Sequence, residues 1–93
     1  MSEIYDALWN DVLGIIKKQI QADSFAVWFK DTRLINLNHI SCEAMIQVAN
    51  GFAAEWLMRK YSIVVNEAFY CIFQKSFTPI FISPKEHGRE AFC

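Results

Sequence analysis

The sequence predicts an α+β fold in one small domain, with elements in the order α-α-β-β-α-β and a three-stranded sheet packed against the helices. Three observations lead there. Two stretches, residues 4–21 and the run that opens at Asn50, repeat apolar residues with helical period, whereas residues 41–48 place an apolar residue at every second position. The dipeptide Asn38-His39 separates two short strand-like runs and reads as a hairpin turn. At 93 residues the chain has room for one core and no more.

The first helix is expected over residues 4–21. Tyr5, Leu8, Val12 and Ile16 centre its buried face, with Trp9, Leu13 and Ile20 on one margin of a wide apolar arc. Trp9 there fits either a filler at the core edge or a docking anchor. Asp23-Ser24 is a cap signal for one or two helical turns over residues 24–29. Phe25, Trp28 and Phe29 cannot all point inward from so short a piece, so part of this group is expected near the surface. Residues 32–37 form a strand with Leu34 directed opposite to Arg33 and Ile35. In the return strand, 41–48, Cys42, Ala44, Ile46 and Val48 share one face against Glu43, Met45 and Gln47.

Asn50 then caps a third, long helix, its side-chain oxygen free to accept from the first N–H groups. At about 100° per residue, Ala53, Leu57, Tyr61, Val64, Ala68 and Ile72 make a core stripe. Phe52, Trp56, Ile63 and Tyr70 make a second stripe. That second stripe fits a binding surface or a helix wrapped by the domain on two sides. Residues 77–82 are the last strand, at a sheet edge or starting at Pro79, which has no N–H to donate. A parallel, right-handed crossover through the third helix is expected to set this strand beside the first. Residues 1–82 are thus the folded domain, and 83–93, with turn residues and no period, a flexible tail or linker stub.

Nine basic and ten acidic residues leave the chain nearly neutral, and the largest basic clusters are the pairs Lys17-Lys18 and Arg59-Lys60. Tight charge-driven binding of nucleic acid needs a basic patch that this sequence lacks. The longest apolar run, Ala68 to Phe73, is six residues, far short of a bilayer span. The acidic N-terminus is no secretory signal, and three scattered cysteines, Cys42, Cys71 and Cys93, read as reduced cytosolic thiols. A cytoplasmic location without membrane contact is expected.

No catalytic, cofactor or metal site is expected either. His39 sits in a predicted turn and His87 in the tail, Gly14, Gly51 and Gly88 are isolated, and no acidic pair shares an apolar face. Cys71 is read as a buried, inert thiol beside the core stripe. The element order is KH-like, but the GXXG clamp of that module is missing, since Gly51-Phe52-Ala53-Ala54 lacks the second glycine.

Leu8-Trp9, Ser24-Phe25, Trp28-Phe29, Arg33-Leu34, Asn50, Phe52-Ala53, Glu55-Trp56-Leu57 and Lys60-Tyr61, in this order and spacing, resemble the N-terminal domain (domain I) of the bacterial replication initiator DnaA. The resemblance spans residues 8–82, nearly the whole folded part. It implies a KH-like interaction hub that self-associates, contacts the replicative helicase, receives regulators and binds single strands weakly. Carried over, self-association falls to Trp9 with Leu13 beside it, as a weak homodimer. Helicase contact falls to Phe52, with Ala53 and Trp56 next to it on the same helix. The surface used by regulators maps to Ser24, Phe25 and Trp28.

Two positions depart from the pattern: Ser24 stands where an acidic helicase-contacting residue can occur, and Ala49 replaces a common proline. The sequence also holds neither an ATPase nor an origin-binding domain. The expectation is therefore a stand-alone, non-catalytic module that modulates replication initiation by docking on the initiator, the helicase or a regulator. The alternative is a small KH-like binder of single-stranded nucleic acid using an exposed sheet face and aromatic side chains.

Overall fold

A computed structural model of the chain describes residues 2–83. Its elements are α1 (Ser2–Lys17), α2 (Ala22–Trp28), β1 (Arg33–Asn38), β2 (Glu43–Gln47), α3 (Gly51–Phe73) and β3 (Thr78–Ile82). The α+β class and the element order are those expected. Of the tail expected over 83–93, Ser83 is buried and residues 84–93 lie outside the described residues.

The sheet order is β1-β2-β3, with β1 antiparallel and β3 parallel to β2. This corrects the expectation that β3 would lie beside β1. Only residues 74–77 separate α3 from β3, and so short a return reaches the neighbouring lane on the open side of β2, while the hairpin holds β1 on the other. Pro79 pairs in register with Ala44. The ladder bonds from Thr78 N–H to the Cys42 carbonyl and from Val48 N–H to the Ile82 carbonyl turn the even-numbered residues of β3 toward β2. The missing N–H of Pro79 therefore faces outward and costs no bond.

Both helix layers lie on one face of the sheet. Leu34, Ala44, Ile46, Val48 and Phe81 point into the core from the strands. Register shifts between Leu34 and Asn36, so that Ile35 is an extra residue and both Leu34 and Leu37 reach the inner face three positions apart. The hairpin turn is closed by Asn38, whose Oδ1 accepts from the N–H groups of Ile40 (2.9 Å) and Ser41 (3.0 Å).

Helix boundaries moved in identifiable ways. α1 ends at Lys17, four residues early, because its last turn tightens: Lys18 N–H donates to the Ile15 carbonyl and Gln19 N–H to that of Ile16. α2 begins at Ala22, not at Ser24. Gln21 is its N-cap without a side-chain bond, and Asp23 sits in the first turn, where its charge favours the helix dipole. α3 starts as expected, the Asn50 side chain accepting from Ala53 N–H at 2.8 Å. It ends at Gln74 in the left-handed conformation, whose N–H reaches the Tyr70 carbonyl.

Two buried faces are rotated from their expected centres. On α1, Trp9, Val12 and Ile16 are buried, whereas Tyr5 and Leu8 are half-buried. On α3, Val65 and Phe69 join Ala53, Leu57, Tyr61 and Ala68 inside, while Val64 and Ile72 stay half-buried. The shift follows the strand order, since Phe77, leading into β3, packs its ring 5.7 Å from Phe69 on that flank. Cys71 is turned outward by the same rotation and is exposed, contrary to the buried thiol expected.

Candidate docking surface on the second and third helices

The short α2 has no buried residue of its own, yet its C-terminal aromatics seat it. Phe29, just past its end, is buried and meets Tyr61 edge-on at 5.6 Å, and Phe25 stacks on Phe29 at 5.7 Å. With Phe29 committed inward, Trp28 turns toward the start of α3. It stacks on Trp56 (ring centroids 5.3 Å) and tilts against Phe52 (5.9 Å). Phe52 and Trp56 are one helical turn apart, so one aromatic ring from α2 spans both.

The result is an aromatic cluster that the core does not cover. Phe52 is 68% exposed and Trp56 37% exposed. Lys60, a further turn along, places its ammonium 5.7 Å from the centre of the Trp56 ring, and an exposed Glu55–Arg59 ion pair (3.6 Å) borders a shallow depression lined by Phe52 and Trp56.

Of the six residues expected to bind partners, Trp28, Phe52 and Trp56 come together at the surface. Ser24 and Phe25 are half-buried on α2, and Ala53 is buried beneath the cluster. The two residues assigned to self-association lie elsewhere. Trp9 is 3% exposed, its ring 6.2 Å from Phe69 and its indole N–H bonded to Thr32, while Leu13 is half-buried against the core. In this fold the Trp9 ring is a core element. The sheet face opposite the helices, offered for single-strand binding, shows Arg33, Asn36, Glu43, Met45, Gln47, Thr78 and Ile80. Among the described residues its strands carry no aromatic side chain on this face. Lys60 is not among the residues expected to bind partners; its position four residues after Trp56 is the signal that the sequence offers for it.

This arrangement defines a small α+β domain whose distinctive surface is an aromatic cluster shared by two helices. A model of the DnaA N-terminal domain matches residues 6–70, and the chain belongs to that family. It is also similar to the chromosomal replication initiator protein DnaA of Thermodesulfovibrio yellowstonii, 29% identical over 72 residues. That match takes in 77% of this chain but only 16% of the relative's length.

Proposed function

We infer that the chain is a non-catalytic protein–protein interaction module of bacterial DNA replication initiation, working in the cytoplasm by docking on the initiator, the replicative helicase or a regulator. The exposure of Phe52 within the Trp28–Phe52–Trp56 cluster carries this reading. Family membership supports the setting, because the related protein is a replication initiator. An exposed aromatic anchor held by neighbouring rings is the usual form of a binding hot spot, worth about 2 kcal/mol or more when truncated.

The test is binding of purified initiator and purified replicative helicase to the immobilised chain, compared with Phe52→Ala. Loss of binding with an unchanged circular dichroism spectrum is expected. Undiminished binding by the folded variant removes the cluster from this role.

A second reading rests on Lys60 over Trp56 with Arg59 beside it. A cation next to an exposed ring is the unit on which single-stranded bases stack. Such binding weakens steeply with salt, whereas apolar docking does not.

A further inference from the structure

Beyond the aromatic cluster the exposed side of α3 forms a saddle. Ile63 is 70% exposed and Tyr70 50%, and between these two apolar posts lie Asn66 and Glu67. An open groove runs down each side of the helix. The groove against α1, about 310 Å³, is walled in part by Ile15, Val64 and Ala68. The groove against β3, about 350 Å³, is walled in part by Met58, Ile63 and Pro79. Asn66 and Glu67 line both, so the two grooves meet across the saddle.

Charge and helix width together define what fits there. Glu67 is exposed and, among the described residues, is the one charged residue lining either groove. Among those residues the side chains of Glu67 and Asn66 have no ion-pair or hydrogen-bond partner. A carboxylate between two apolar walls selects a cation flanked by apolar groups on both sides. An α-helix with its side chains is about 10–12 Å across. An extended segment advances about 3.3 Å per residue with alternate side chains on one face, so its residues i and i+4 stand about 13 Å apart. Laid across the saddle, those two reach the two grooves while residue i+2 points at Glu67.

We propose that this saddle is a docking site for an extended peptide segment with apolar residues at i and i+4 and a basic residue at i+2. The basic side chain pairs with Glu67, and the apolar ones fill the grooves on either side. The Asn66 amide, which can both donate and accept, bonds the crossing backbone. An exposed ion pair contributes little by itself, so the apolar side chains carry most of the affinity and the charge decides which segment is accepted. The site uses none of Trp28, Phe52 and Trp56, and Glu67 lies eleven residues, about 16 Å, beyond Trp56 on the helix. It does not rest on the docking role proposed above.

The probe is the capped pentapeptide Leu-Ser-Arg-Ser-Leu, titrated into the isotope-labelled full chain with reductant and followed by amide chemical shifts. Saturable shifts should centre on Ile63, Asn66, Glu67 and Tyr70 and leave Phe52 and Trp56 unmoved. Glu67→Lys should weaken binding about tenfold, because it replaces an attraction with a repulsion. The peptide with glutamate in place of arginine should bind that variant better than it binds the wild-type chain. Moving the second leucine by one position turns it to the other face and should weaken binding about tenfold or more. Ile63→Ser, which removes exposed surface, should weaken binding while leaving the circular dichroism unchanged. The proposal is overturned by a wild-type chain without saturable shifts, by shifts centred on Phe52 and Trp56, or by a charge exchange that restores nothing. Argininamide binding as tightly as the peptide would mark a site for a small cation, and the same shifts appearing on concentrating the chain alone would mark a second copy; either result also overturns it.

Discussion

The indole N–H of Trp9 donates to the hydroxyl of Thr32 at 3.1 Å, and that hydroxyl donates in turn to the Phe29 carbonyl at 2.7 Å. One threonine thereby joins the middle of α1 to the end of α2. It satisfies a buried donor that would otherwise be stranded when the ring enters the core. Thr32→Val keeps the shape and removes the acceptor, and a stranded N–H costs about 1–3 kcal/mol. The denaturant midpoint should fall accordingly, whereas Thr32→Ser should recover most of the loss.

Trp9→Ala should be more damaging still. A buried tryptophan truncated to alanine costs about 3–5 kcal/mol, a large share of the total for a domain of this size. The expected outcome is a chain that loses most of its helical circular dichroism signal on mild heating. A folded, monomeric Trp9→Ala chain would instead favour the anchor role that the family resemblance assigns to this position.

Phe52→Ala separates surface from core. The side chain is largely in solvent and, among the described residues, its one ring contact is with Trp28, so losing that contact should cost no more than about 1.5 kcal/mol. Phe69→Ala, from the buried side of the same helix, should cost about 3–5 kcal/mol. Urea titration of the two variants should show this contrast directly.

The ends of α3 respond in opposite directions. Asn50→Ala removes the acceptor for Ala53 N–H and should lower stability by about 1 kcal/mol. Gln74 occupies left-handed backbone at φ 59°, a conformation that glycine adopts without steric cost. Gln74→Gly should therefore raise stability by about 0.5–1 kcal/mol, since the constraint sits in backbone that non-glycine residues disfavour. Thermal melts of both variants read the two signs.

Local signals in this sequence proved sufficient where one residue type decides the outcome. Asn50 as a cap, Asn38 as a turn former and the alternation from Cys42 to Val48 each express short-range stereochemistry, and each appears in the fold. What could not be read locally was which lane β3 would take. That single long-range choice decided the rest: it drew Val65 and Phe69 inward, turned Cys71 out and left Val64 at the margin. The aromatic cluster was half legible. The excess of rings at 25, 28 and 29 and the second stripe on α3 announced surface aromatics, but the stacking of Trp28 on Trp56 depends on a contact between elements far apart in sequence. Trp9 shows the converse, because a margin position in the helical projection became core once Thr32 supplied a partner for its N–H.

The outward-facing nitrogen of Pro79 has a consequence for crowding. Within the described residues β1 and β3 are the outer strands, and an unpaired strand invites another chain to extend the sheet and seed fibres. On β3 the proline offers an intruding backbone no donor at the second residue of the run, and on β1 the extra residue at Ile35 breaks the even spacing that a newcomer would need. Copies can therefore be held close together and meet through side chains, with their backbones kept from polymerising.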